Sequence, residues 1–452
     1  MTDLYYPLQS LREGHWFKLI CGASFQHLPA IRSLVLAYAL AGADCIDVAA
    51  DPAVILTAKT ALKLAADLAV AKSSDHLLMR SSPWLMVSLN DGEDPHFRKA
   101  EFDVTACPSD CKRPCETICP AQAIVFHPTA STVANPLEKS PVPRGNALET
   151  SVAVLEPTAG VVSDRCYGCG RCLPVCPIQH ISTRSYGSTP AVVVPLVLQA
   201  GVDAIEIHTQ VGRLEAFRRL WETIVPWVSD LKLIAISCPD GDGLIDYLRA
   251  LYDVISPLPC PLVWQLDGRP MSGDIGMGAT RAAVKLGQKA LAVSLPGYIQ
   301  LAGGTNHHTV PKLKALGLLQ PSPSLSSVVG LAARVPLETH SRNQQSSYIS
   351  GVAYGSYART LLTPILNQLD AIALESNNSE HDAMVGTPLL DSLESGNTLM
   401  KLMKHQSEAE GRSLPLHLEE MPALLWQAVA LAHSLVSQLK TFNSDRLTRL
   451  NL

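Results

Sequence analysis

Eight cysteines stand in two short runs, and each run ends in Cys-Pro. The first is Cys107, Cys111, Cys115 and Cys119, followed by Pro120; the second is Cys166, Cys169, Cys172 and Cys176, followed by Pro177. Thiolate sulfur is soft and anionic, which suits iron held in a sulfide cluster. Close spacing lets one tight loop offer three sulfurs, while the fourth comes from farther along the chain. The chemistry such an array supports is one-electron transfer. Zinc is the alternative use of four-cysteine sets, but zinc motifs pair one C-x2-C with a distant second one, not four cysteines in a single run. Disulfides are a third use, disfavoured wherever thiols are kept reduced.

The second run reads C-x2-C-x2-C-x3-C-P, the ligand pattern of bacterial ferredoxins that hold two cubane clusters, in which the last cysteine of each run serves the other cluster. Carried over here, cluster 1 takes Cys107, Cys111, Cys115 and Cys176, and cluster 2 takes Cys166, Cys169, Cys172 and Cys119. Both are expected to be [4Fe-4S] clusters. The first run departs from the pattern, reading C-x3-C-x3-C-x3-C, and a labile or [3Fe-4S] cluster is the alternative at that site. Each proline turns the chain away from its run, since it cannot extend a helix. Gly168 and Gly170 permit close backbone approach and free amide donors towards sulfur. Lys112 and Arg113, inside the first loop, either offset the negative charge of a cluster or are simply solvated.

These loops need a scaffold, and the rest of the chain alternates β-rich runs with amphipathic stretches. Strands are expected over 17–21, 45–49, 84–89, 204–208, 231–237, 262–266, 298–302 and 348–354, each followed by a helix. Asp51 and Pro52 suit the cap and first turn of the helix after the second strand. Eight such units predict an α/β fold, a (β/α)8 TIM-type barrel, with an open doubly wound sheet as the runner-up. The expected organisation is a first part of the barrel over 1–100, a ferredoxin-like module over 101–186 with an insertion at 127–162, the rest of the barrel over 187–370, and a polar linker with a last helix over 371–452. The module enters after strand three, which in a barrel is the C-terminal face where active sites form. Of the other cysteines, Cys21, Cys45, Cys238 and Cys260 read as core, with Cys21 and Cys238 at strand ends facing the barrel mouth.

Gly303 and Gly304 follow strand seven, and Gly355 and Ser356 follow strand eight. Glycines there form the usual phosphate site of a barrel, gripping the anion with backbone amides and a helix N-terminus. The pair resembles the phosphate loops of FMN-dependent barrel oxidoreductases, and the plain alternative is tight turns. His307 and His308 read as exposed loop residues. Asp44, Asp47 and Asp51 are given no catalytic role.

The chain of 452 residues is 47% hydrophobic and 17% charged, with a formal net charge of -5. Such mild acidity lacks the clustered basic face that nucleic acid requires. No run reaches the ~18 apolar residues of a membrane helix, and the first residues lack the features of a signal peptide. The expectation is a cytoplasmic protein with neither a membrane span nor a nucleic-acid partner.

With both Cys-Pro runs, Gly42-Ala43-Asp44-Cys45-Ile46-Asp47-Val48-Ala49 and Gly201-Val202-Asp203-Ala204-Ile205-Glu206-Ile207-His208, the sequence resembles the cyanobacterial light-dependent period (LdpA) family over about 11–370. The resemblance implies an iron–sulfur protein that reports cellular redox state, set by light, to the circadian clock, with clock proteins or redox carriers as partners. The residues by themselves indicate only redox-active metal. The rival reading is an FMN-dependent oxidoreductase whose clusters feed electrons to a barrel-bound flavin.

Overall fold

The computed structural model describes residues 5–71, 81–92, 97–126, 160–185, 190–269, 276–319, 345–384 and 416–440. The chain opens with α1 (Tyr5–Arg12), β1 (Trp16–Ile20), α2 (Leu28–Leu40), β2 (Cys45–Ala49), α3 (Pro52–Ala71) and β3 (Trp84–Asn90). An excursion follows: β4 (Arg98–Glu101), α4 (Pro114–Ile118), β5 (Ile124–Val125), β6 (Gly160–Val161), α5 (Cys172–Val175) and β7 (Ser182–Ser185). The alternation then resumes with α6 (Pro190–Gln199), β8 (Ala204–His208), α7 (Leu214–Ile224), β9 (Leu233–Pro239), α8 (Leu244–Ile255), β10 (Leu262–Asp267) and α9 (Thr280–Leu291). It ends with β11 (Gly297–Ala302), α10 (Thr309–Ala315), β12 (Gln345–Tyr354), α11 (Ser356–Met384) and α12 (Pro422–Val436).

Eight of these strands are parallel and close into a barrel in the order β1-β12-β11-β10-β9-β8-β3-β2. Closure is made by β12 against β1, in register from Trp16 with Gly351 to Leu19 with Tyr354, and this removes the open-sheet alternative. Strand one lies one residue earlier than expected, and the helix after strand eight runs on to Met384, because nothing in that polar stretch breaks a helix. The expected insertion between the cysteine runs and the polar linker fall mostly outside the described residues.

Side chains alternate between the two faces of a strand. Outward residues such as Phe17, Val48, Val87, Ile205, Ile236 and Leu301 pack under the helices in one buried layer, each worth about 1.5–3 kcal/mol of apolar burial. Inward residues form two different layers. The floor is apolar: Trp16, Cys45, Trp84, Met86, Ala204, Leu233, Ala235, Val263 and Tyr298, with Leu11 of α1 beneath. Trp16 and Trp84 meet edge to face at 5.8 Å, and position 351 is glycine because a Cβ there would stand 2.6 Å from the Trp16 side chain. Above the floor the barrel is polar. Lys18 pairs with Glu206 and with Asp47 at 3.3 Å, and donates to Gln265 at 3.0 Å. Ser88 donates to Asp47 at 2.9 Å, and Gln300 links Gln265 to the Trp16 indole.

The excursion leaves the C-terminal end of β3. Its base is the antiparallel pair β4/β7, with Arg98 opposite Ser185 and Glu101 opposite Ser182; β5 and β6 make a second small pair. A separate core of Cys115, Ile124, Phe126, Cys172 and Ile181 holds it together. At the other end of the chain, α12 packs across α2 and α11, and Arg32 pairs with Glu419 just before it.

Candidate metal centre

The two cysteine runs fold into matching local structures. In each, one helical turn carries the third cysteine, and the fourth closes the turn: Cys119 N–H donates to Glu116 O at 3.3 Å, and Cys176 N–H to Leu173 O at 3.4 Å. The proline then diverts the chain. Two residues later a glutamine takes left-handed backbone, Gln122 at φ 48° and Gln179 at φ 50°. Their amides return to the carbonyls of Cys119 and Cys176 at 3.2 and 3.1 Å. The next amide in each case points at sulfur: Ala123 N–H donates to Cys119 Sγ at 3.2 Å and His180 N–H to Cys176 Sγ at 3.3 Å. Ala100 of β4 does the same for Cys166 at 3.4 Å. Gly168 and Gly170 have φ 68° and 74°, conformations open to glycine at little cost. Amides aimed at sulfur stabilise its anionic form.

The thiols also influence one another across the two runs. Burial raises Cys115, and Cys176 and Cys107 raise it further; burial raises Cys107, and Cys111 and Cys176 add to it. Cys172 is pushed up to about 12 by burial and by the nearby Cys169, Cys166 and Cys119. Cys169 is raised by burial and by Cys119 and Cys166. Cys176 goes the other way: burial raises it, but amides at His180, Ile178, Ile181 and Gln179 outweigh that and lower it. Across the runs, then, Cys176 acts on the neighbourhood of Cys107 and Cys115, and Cys119 on that of Cys169 and Cys172. Crowded thiols that raise each other's pKa, ringed by amides, form a donor set suited to an iron–sulfur cluster rather than to isolated thiols.

The two neighbourhoods differ in setting. Around the first, Arg113 lies over the Phe126 ring at 4.5 Å and lowers Cys107. The second faces the barrel: Tyr167 belongs to the main core, with Cys169 and Ala121 packed against it. Lys99 of β4 donates to Gln26 at 2.7 Å, and Gln26 donates on to Asp51 at 2.9 Å. Asp51 also caps α3 through the Ala53 amide at 2.8 Å, as the sequence indicates.

The two glycines after β11 have packing reasons, whereas a Cβ at Gly355, after β12, would meet only ordinary contacts, 3.6 Å and beyond. A Cβ at Gly303 would stand 2.9 Å from the Gly268 and Arg269 amides, and one at Gly304 would stand 2.8 Å from the Ala279 carbonyl. Ser356 Oγ accepts a bond from Arg359 at 3.2 Å. His307 and His308 stand ring to ring at 3.7 Å. Cys21 and Cys238 do not face the barrel mouth. Strand alternation turns both outward into the helix-facing layer, because Ser237 is the inward residue of that part of β9. Burial pushes the Cys21 thiol up to about 12.

The polar upper layer of the barrel escaped the sequence reading, apart from an Asp47 judged inert. Burial alone would lower the Lys18 pKa, but Asp47 and Glu206 raise it. Burial raises Glu206, but Lys18 and His208 pull it well down. His208 meets Glu206 at 2.9 Å beneath the edge of Phe97 at 5.4 Å. The available signal was a polar residue at alternate positions of apolar strands: Lys18, Asp47, Glu206, Gln265 and Gln300.

Among the described residues no helix is long and apolar enough to cross a membrane. A model of the LdpA Fe-S cluster-binding domain matches residues 107–187, the stretch that carries both cysteine runs. A model of the light dependent period A C-terminal domain matches 196–438, from α6 through α12. The chain is 42% identical over 419 residues to the curated Light dependent period A of Synechococcus elongatus, covering 92% of this chain and 99% of that protein. Both cysteine runs therefore lie in an iron–sulfur cluster-binding domain, and the chain belongs to the light-dependent period A family.

Proposed function

We propose that the protein is a cytoplasmic redox sensor or electron carrier with two [4Fe-4S] clusters, which reports the light-driven redox state of the cell to the circadian clock through clock proteins or redox carriers. The observation that carries this reading is the matched pair of turns in which the Ala123 and His180 amides point at the sulfurs of Cys119 and Cys176, the last cysteine of each run. When bound, each cluster supplies a site that accepts and returns one electron. The protein's own residues do the rest: Cys107, Cys111, Cys115 and Cys176 hold one, Cys166, Cys169, Cys172 and Cys119 the other. The His180 amide favours thiolate over thiol at Cys176, and Ala123 and Ala100 place amides on the Cys119 and Cys166 sulfurs. The relative's name, Light dependent period A, supports light input as the context.

The test is electron paramagnetic resonance on anaerobic full-length protein, oxidised and reduced, with iron, sulfide and flavin assayed on the same sample. Two reducible clusters with about eight irons per chain and no flavin are expected. A colourless or zinc-loaded preparation would end the reading. Release of FMN on denaturation would replace it with the oxidoreductase, in which Gly303, Gly304, Gly355 and Ser356 take the phosphate.

A further inference from the structure

Arg359 lies in the first turn of α11, where the barrel meets the module, and its side chain is buried, only 9% exposed. Nη1 donates to the carbonyls of Ile20 at 2.9 Å and Cys21 at 3.0 Å, and Nη2 donates to Ser356 Oγ at 3.2 Å. The guanidinium lies over the Tyr167 ring, 4.0 Å from its centroid. All of these partners are neutral. Among the described residues no carboxylate pairs with this cation, and its Nε is buried without a hydrogen bond. A buried charge with no counter-charge is costly, several kcal/mol by general experience. Such a cation is retained when something anionic, absent from the protein atoms themselves, stands near it.

Tyr167 indicates what that is. It follows Cys166 directly in the chain, so the guanidinium stands against the ring of the residue next to a second-run thiol. A cluster on four thiolates is anionic in both oxidation states and gains one more negative charge on reduction.

We propose that Arg359 is the counter-ion of the second-run cluster, a positioning residue on the barrel that raises the reduction potential of that cluster across the Tyr167 ring. A fixed cation stabilises the reduced form more than the oxidised form, because the attraction grows with the negative charge. The dependence is reciprocal. Loss of the cluster leaves Arg359 uncompensated against the end of β1, so the barrel itself is less stable without it. Each run also has a cation of its own loop, Arg113 acting on Cys107 and Arg171 acting on Cys169; Arg359 is the cation that the barrel adds. The inference rests on the two-cluster reading above and deepens it, assigning the barrel a part in tuning one cluster.

The experiment is a redox titration of anaerobic full-length protein followed by electron paramagnetic resonance, with the two signals assigned by Cys115→Ser and Cys172→Ser. Arg359→Met should shift the second cluster's oxidised-to-reduced ratio at fixed poise about tenfold towards oxidised, about 59 mV for one electron, and leave the first cluster in place. Arg359→Lys, which keeps the charge, should recover most of that shift. An unmoved midpoint in Arg359→Met, or an equal shift of both clusters, overturns the proposal. If Arg359→Met does not accumulate, Tyr167→Leu serves in its place. It opens the guanidinium to solvent and should lower the same midpoint by a smaller amount, and an unchanged midpoint there is equally fatal. Absence of any second-run signal in the wild type would count against the cluster reading itself, a failure distinct from a present cluster that ignores Arg359.

Discussion

Gln122 and Gln179 share one unusual backbone conformation, φ 48° and 50°, each three residues past the last cysteine of its run, and each sets the following amide on a sulfur. Left-handed backbone costs an L-residue about 1–2 kcal/mol, and a β-branched side chain tolerates it worst. Gln179→Val should lower stability by roughly that amount and lower the iron retained per chain. Gln179→Gly should keep both near wild type, since glycine enters this region freely. Thermal melts and iron assays decide, and a Val variant that behaves as wild type would show that the turn does not matter.

The proposed crossing of ligands makes an ordered prediction about iron. Cys115→Ser should remove the cluster of the first set. Adding Cys176→Ser to that variant should then cost no further iron, while adding Cys119→Ser should strip what remains. The reverse pattern would mean one cluster per run.

Lys18 is the cation between Asp47 and Glu206. Lys18→Met leaves two buried carboxylates facing each other, and loss of one partner from such a site costs about 3–5 kcal/mol. Urea or guanidinium unfolding should show that loss, with iron per folded chain unchanged. A change under about 1 kcal/mol would mean that the network is already neutral.

The sign of the pH effect follows from Glu206. Burial raises its carboxyl, but Lys18 and His208 lower it further, so the folded value lies below the ordinary one. A depressed carboxylate contributes stability above its unfolded pKa, about 4.3, and that contribution is lost as pH falls through the folded value. Asp47, raised by burial and by Glu206 despite Lys18, carries the opposite sign: its contribution is lost as pH rises. Glu206→Gln should therefore flatten the fall in denaturation midpoint below about pH 4, and Asp47→Asn should not. Parallel acid limbs in wild type and Glu206→Gln would refute the assignment.

At the floor of the barrel, Gly351→Ala should cost about 1–3 kcal/mol. The added Cβ would stand 2.5 Å from the Trp16 carbonyl oxygen, and backbone cannot yield as a side chain can. A melting temperature equal to wild type would show that the strands can part there.

The barrel was legible because its strands are short apolar runs set between helical stretches, and β2 and β8 match their expected bounds. The cysteine module was legible because ligand spacing is a local property. What the sequence hid is non-local. Lys18, Glu206 and Gln265 each look like an isolated oddity in a strand until closure turns them towards one axis. Cys21 and Cys238 were expected at the mouth because position along a strand is easier to read than which face is inside. Arg359 sits in an ordinary helix start, and only the fold brings it to Tyr167.

The pedestal of the insertion has an evolutionary consequence. Its entering and leaving strands pair with each other, Arg98 opposite Ser185, and not with the barrel sheet, so the two severed ends would lie about 5 Å apart. The cysteine-bearing part is in that sense a graftable cassette: a short splice could rejoin the host without disturbing its closed ring of strands, and a lineage could acquire or shed the cargo in one recombination event.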